Sequence, residues 1–143
     1  MSLTRKEAID EILGLFKTAW DTTGHGTRVK YDNVGKKSMP PAGQDPWARV
    51  VLRHTSASQV SLSGAVGTRR FQRNGILTIQ VFEPPGKGLS GATDLPKIIQ
   101  DAFEGVETAS GVWFRDVTVN EIGPDGDFFQ TNIVAFFEYD EVK

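Results

Sequence analysis

Apolar residues recur along this chain with two periods, and the change of period marks the elements. Ala8, Ile9, Ile12, Leu13, Phe16, Ala19 and Trp20 follow one another at three- and four-residue steps. That spacing predicts an amphipathic helix with one apolar face. Thr4 and Glu7 stand ahead of it at capping-box spacing, where each side chain satisfies a free backbone N–H at the helix start. Gly24 and Gly26 bracket its end. A short strand is expected from Arg28 to Tyr31, and a strand with Val50, Val51 and Leu52 at its centre from Trp47 to His54. Gln59 to Leu62 either continues that strand or begins the return. Ser63 to Gly67 supplies a turn. From Thr68 to Phe82, Leu77, Ile79 and Val81 alternate with Thr78, Gln80 and Phe82, which predicts a long strand. Asn74-Gly75 in its middle marks a bulge or bend, with a hairpin tip as the other reading.

A second helix is expected from about Thr93 to Phe103, with Ile98, Ile99, Ala102 and Phe103 on its apolar face. Pro96 suits its first turn and Gly105 its end. Two strands close the chain, Val112 to Ile122 and Phe128 to Tyr139, joined through Gly123 to Asp127, where Asp125-Gly126 is a hairpin signal. The order α-β-β-β(-β)-α-β-β, with short turns between neighbours, predicts an α+β fold. We expect a mostly antiparallel sheet of about four to six strands with two helices packed on it. The whole chain, 1–143, reads as a single domain with two long exposed loops, near 32–46 and 84–92. Loops of that length inside a domain are commonly functional or disordered.

Composition narrows the classes. The 143 residues contain no cysteine, which excludes disulfides, thiolate metal sites and thiol nucleophiles together. The formal charge of −2 argues against a general nucleic-acid binder. The longest apolar runs, such as Ile133 to Phe137, fall far short of the roughly 18–20 residues that a membrane span needs. Met1 to Lys6 lacks the apolar stretch of a secretory signal, so assembly in a reducing cytoplasm is expected.

Candidate chemistry thins out on inspection. Gly86 to Gly91 matches the letters of the glycine-rich dinucleotide fingerprint between a strand and a helix. Pro84-Pro85 breaks the tight turn that fingerprint needs, and the chain has no doubly wound series of strands. Gly35-Lys36-Lys37-Ser38 resembles the end of a phosphate loop, but the required earlier glycine is Lys30. His25 and His54 lack further ligands at metal-binding spacing. Asp125-Gly126-Asp127 begins like a calcium loop, yet its twelfth position is Phe136 rather than glutamate. No nucleophile elbow is present. No catalytic, cofactor-binding or metal-binding residue is assigned, and no cofactor is expected.

Two other features point outward. Arg69, Arg70 and Arg73 cluster on a strand, where Arg69 and Arg73 share one face and Arg70 takes the other. They are candidates for a subunit interface with Asp94, Asp101 and Glu104 of the second helix, since guanidinium forks pair bidentately with carboxylates. The pairs Phe128-Phe129 and Phe136-Phe137 each place one ring inward and one outward. An outward ring on a sheet face without helices needs a subunit or a loop to cover it.

The run from Thr68 to Phe82, the loop Pro85 to Gly88, the helix ending Ala102 to Gly105, and the closing pair through Glu121 to Gly123, Phe129-Gln130 and Phe137 resemble the tail terminator (tail completion) proteins of long-tailed bacteriophages. The resemblance spans the chain from first helix to last strand and lies in spacing and turns rather than in a catalytic signature. It implies a non-enzymatic α+β virion protein of the head-proximal tail that forms a six-membered ring. The ring would cap the tail tube, end its polymerisation and present a surface for head joining. The implied partners are copies of itself, the tail tube protein and a head connector or neck protein, with no membrane and no direct sequence-specific nucleic-acid binding. Lys36, Lys37, Met39, Lys87 and Leu89 are the expected partner-docking loop residues. Other readings are a different neck or head–tail joining component, or a small nucleotide- or phosphate-binding enzyme.

Overall fold

A computed structural model describes residues 2–33, 45–62 and 64–143. The expected loop near 32–46 therefore lies largely outside the described residues, with Lys36, Lys37 and Met39 in it. The remaining chain is an α+β fold with a five-stranded sheet, as the pattern predicts. Its elements are helix α1 (Arg5–Asp21), strands β1 (Val29–Tyr31), β2 (Trp47–Gln59) and β3 (Arg70–Glu83), a single helical turn α2 (Gly88–Gly91), helix α3 (Asp94–Phe103), and strands β4 (Trp113–Asp125) and β5 (Phe128–Val142). The sheet order is β1-β2-β3-β5-β4. Only β1 and β2 pair in parallel; the other neighbours are antiparallel.

Helix α1 starts where the sequence places it. Thr4 accepts from the backbone N–H of Glu7, and Glu7 accepts from that of Thr4, so both halves of the capping box form. Ala8, Ile12, Phe16 and Trp20 are buried against the sheet. The Trp20 indole N–H donates to the His25 carbonyl at 2.8 Å, so the large ring is buried without stranding its donor. Helix α3 buries Pro96, Ile99 and Phe103. Ile98 departs from the expected face: it sits off that stripe and is exposed. Gly105 takes a φ of 72° just past the helix, a conformation glycine adopts without steric cost.

Both helices lie on one face of the sheet. One continuous core joins α1 and α3 to Val50, Leu77, Ile79, Val81, Ile133, Ala135 and Phe137. Among the described residues, the opposite face carries no helix. Trp47, Phe82 and Phe128 form a separate apolar cluster there, with Trp47 and Phe82 stacked at 4.1 Å between ring centroids. Phe136 and Phe137 divide between the faces as alternation requires, Phe137 fully buried and Phe136 38% exposed.

The strands run longer than the sequence pattern sets them. β2 continues through Gln59. β4 passes through Gly123-Pro124 to Asp125, so the connection to β5 contracts to Gly126-Asp127. Proline is tolerated there because β4 is an edge strand with one unpaired side. The Asn74-Gly75 signal marks an irregularity and not a hairpin tip: β3 is continuous, and the register shift falls on β2 between His54 and Ser56, directly opposite. Gly75 is required there by close approach. A Cβ at that position would stand 2.5 Å from the Arg53 carbonyl oxygen, with the Phe137 ring nearer still.

Gly75→Ala is therefore expected to destabilise the fold by about 1–3 kcal/mol, through overpacking between β2 and Phe137. Gly14 on the exposed side of α1 has open space around its Cα, and Gly14→Ala is expected to stabilise by about 0.5–1 kcal/mol. Urea unfolding of the two variants should move the midpoint in opposite directions.

Candidate functional site

Two neighbouring hollows lie where α2 and the start of α3 meet the ends of β3, β4 and β5. The larger has a volume of about 410 Å³ and is lined on one side by Leu89, Pro96 and Gln100 and on the other by Val117, Val119 and Phe129. The smaller, about 210 Å³, is bounded by Glu83 and the Pro84–Gly88 turn. Leu89, Ala92 and Phe129 belong to both, so the two form one groove. The groove runs between α3 and β4, where Val117, Val119 and Phe129 are left half-buried.

Glu83 gives this groove its chemistry. Strand alternation places it on the core face after Leu77, Ile79 and Val81, and it is only 2% exposed. Its Oε1 is buried without a hydrogen-bond partner. Burial pushes its pKa up; Lys87 opposes that shift and Asp94 adds to it. A buried acceptor left unpaired is costly. Period two alone could have flagged this residue, because an acid at an inward position of an apolar strand is anomalous.

Of the expected docking residues, Lys87 and Leu89 both line the groove, and Leu89 is among the exposed large apolar side chains. Lys36, Lys37 and Met39 lie outside the described residues. The three arginines sit at or just before the start of β3, and each has a partner on β5 or at Lys143 just after it. Arg70 pairs with Asp140 on the helix-free face. Arg73 pairs with Glu141 at 3.0 Å on the opposite face, both side chains largely shielded. Arg69 donates through Nε to the Lys143 carbonyl at 3.0 Å. Within one chain the arginines therefore do not meet Asp94, Asp101 or Glu104. Asp101 pairs with Lys97 at 2.9 Å, and Glu104 accepts from Gln100 at 3.1 Å.

The motif candidates resolve similarly. Gly86 and Gly88 have positive φ, and only the four-residue turn α2 follows them before α3. The strand after α3 is separated from β3 by β5, which is not the adjacent parallel arrangement of a dinucleotide site. His25 and His54 do not come together: His25 tilts against Trp20, while His54 contacts the Tyr139 hydroxyl at 2.6 Å and the Phe137 ring edge-on. Burial holds the His54 pKa down, with Arg5 and Arg73 adding to the effect. Among the described residues, no group of three or more histidines or acids converges as for a metal ion, and no helix is long and apolar enough to cross a membrane.

No protein-family model matches the chain, and no curated protein matches it. Solved structures do: in one, the likeness has a TM-score of 0.55 and 17% identity, over 89% of this chain and 94% of the other. That protein's name states no activity or partner. At this identity the likeness speaks for the fold alone.

The charge state of Glu83 generates a pH prediction. Its pKa is raised above the ordinary 4.5, so the folded protein holds that proton more tightly than the unfolded chain. The neutral form suits the fold, and stability falls as pH rises from about 4.5 through the folded value. Glu83→Gln removes the penalty. Urea titrations at pH 4 and pH 8 should show the variant gaining on wild type at pH 8, with the difference shrinking at pH 4. An equal difference at both values would remove the buried charge as its cause.

Proposed function

We propose that this chain is a structural component of a long-tailed phage, a tail terminator that assembles into a ring on the head-proximal end of the tail tube. There it ends tube polymerisation and offers a surface for head joining. The reading rests on the resemblance in spacing and turns set out above, and one structural observation carries it further. Among the described residues, helices cover the sheet on a single face, and the other face presents large apolar side chains beside charged ones. Trp113, 44% exposed, stands there with Arg70, Asp140 and Glu138 close by, and Phe136 is exposed on the same face. Mixed apolar and charged surfaces of this kind suit protein partners. The partners in this reading are further copies of the chain, the tail tube protein and a connector or neck protein, in a virion assembled in the host cytoplasm.

A cyclic ring uses a head-to-tail contact, so two different patches of each copy must match. Arg70 is exposed and Arg69 half-buried at one end of the sheet, and the exposed Arg70–Asp140 pair is weak enough to exchange. Asp94 at the start of α3 lies toward the other end, while Asp101 and Glu104 stand at that helix's last turn and cap. In this arrangement the arginines of one copy face Asp94, Asp101 or Glu104 of the next.

Negative-stain imaging and light scattering of the purified protein test the ring. A hexamer of the 15.7 kDa chain, about 94 kDa, is expected. Arg70→Glu should shift the population toward monomer, and an unchanged oligomer removes that arginine from the interface. Gold-labelled protein on isolated tails should mark the head-proximal end of the tube. Label in the neck and not on the tube would instead favour a joining component.

A further inference from the structure

One end of the sheet is a three-stranded arm made of residues 55–59 of β2, 70–74 of β3 and 138–142 of β5. It joins the body of the sheet at a single row, where His54 stands opposite Gly75 and Gly75 opposite Phe137. The register of β2 shifts directly after that row, between His54 and Ser56. Such a shift interrupts the ladder and lets a strand bend, so the row has the build of a hinge. The His54 side chain fastens it. Gly75 has no Cβ, so the Phe137 ring lies across it and meets the imidazole edge-on, at 5.5 Å between centroids. Tyr139 meets the imidazole edge-on as well, at 5.7 Å, with its hydroxyl 2.6 Å from Nε2. Both rings are buried. One imidazole therefore ties β2 to β5 across β3.

The surroundings suit only the neutral imidazole. Arg5 at the start of α1 and Arg73 on β3 face it as cations. Glu141 on β5 is taken up by Arg73 at 3.0 Å. Arg53, the preceding residue of β2, turns to the opposite face and pairs with Asp32. Tyr139 is the remaining titratable neighbour, and burial raises its pKa, so its hydroxyl keeps its proton. A neutral imidazole nitrogen can accept that proton in a hydrogen bond, whereas an imidazolium offers donors only. Protonation therefore forces the Tyr139 hydroxyl to find another acceptor and sets a third cation beside two guanidiniums and two buried rings. Burial first, then Arg5 and Arg73, hold the His54 pKa below its ordinary 6.5. The closed hinge thus contributes its full stability above about pH 6.5 and loses it as pH falls from there through the folded value.

We infer that His54 is a pH latch, which on protonation leaves the Phe137 and Tyr139 rings and frees the β2 side of the arm to open. The β5 side stays tethered, because the Leu3 N–H ahead of α1 donates to the Asp140 carbonyl at 3.0 Å. Residues 55–59, all exposed, are the part that opens. The device lies within one chain and does not depend on the ring reading.

Hydrogen exchange of the full chain at about pH 8 and about pH 5, corrected for the intrinsic rate at each pH, tests the latch. Amides of residues 55–59 and of their partners 70–74 should lose protection severalfold at the lower pH. Those of residues 77–81 and 133–135, in the middle of the sheet, should keep theirs. His54→Gln retains a side chain able to bond the Tyr139 hydroxyl but unable to titrate, so its arm should be equally protected at both values. Proton NMR of the wild-type imidazoles gives an independent readout that needs no variant. His54 should titrate below 6.5, with the Phe137 and Tyr139 ring signals shifting at the same midpoint. His25, which tilts against Trp20 elsewhere in the fold, is the internal comparison. Three results would each overturn the latch: a His54 that titrates at or above 6.5, a wild-type arm whose protection does not change, or an equal loss in His54→Gln.

Discussion

Everything in this structure depends on the pairing of two long central strands, β3 and β5, over fourteen residue pairs. Alternation commits each strand to two faces, so every pair that helps build the core also sends a neighbour to the far side. Two helices of 17 and 10 residues cover the middle of one face. They are too short to cover the ends. The strands therefore carry on unsupported at the arm, where Arg70, Arg73, Asp140 and Glu141 replace apolar contacts with ion pairs. They also run out at the groove, where Glu83 and Phe129 remain at its inner end.

That mismatch of lengths explains the uneven chemistry. In the middle, Leu77, Ile79, Ile133, Ala135 and Phe137 are sealed beneath α1 and α3. Gly75 shows how tightly: the β2 irregularity opposite it and the Phe137 ring leave no room for a methyl group. On the helix-free face the same strands carry Ile76, Val134 and Phe136, partly covered at best. A sheet of this kind holds itself together through one face and has the other available for partners.

The sequence was informative wherever local spacing sets local structure. The capping box at Thr4 and Glu7, the buried stripe of α1, the stop at Gly105 and the split of Phe136 from Phe137 all follow from periodicity and from backbone chemistry within a few residues. Strand ends were less legible. Pairing is decided by the neighbour and not by the strand itself, so Gly123-Pro124 reads as a turn and yet extends an edge strand. Ile98 reads as apolar face and lies exposed because the sheet beneath α3 accepts only a narrow stripe.

What the sequence by itself determined, then, is the α+β class, the order of elements, the absence of thiol chemistry and the alternation that puts Glu83 inward. What only the tertiary structure decided is which residues meet. The arginines found Asp140 and Glu141 because β5 lies against β3, a contact made across nearly seventy residues of chain that no local pattern encodes. The groove arose in the same way, from β4 pairing outside β5 alongside α3. Periodicity tells a side chain which face to take, and long-range pairing alone decides what stands opposite it.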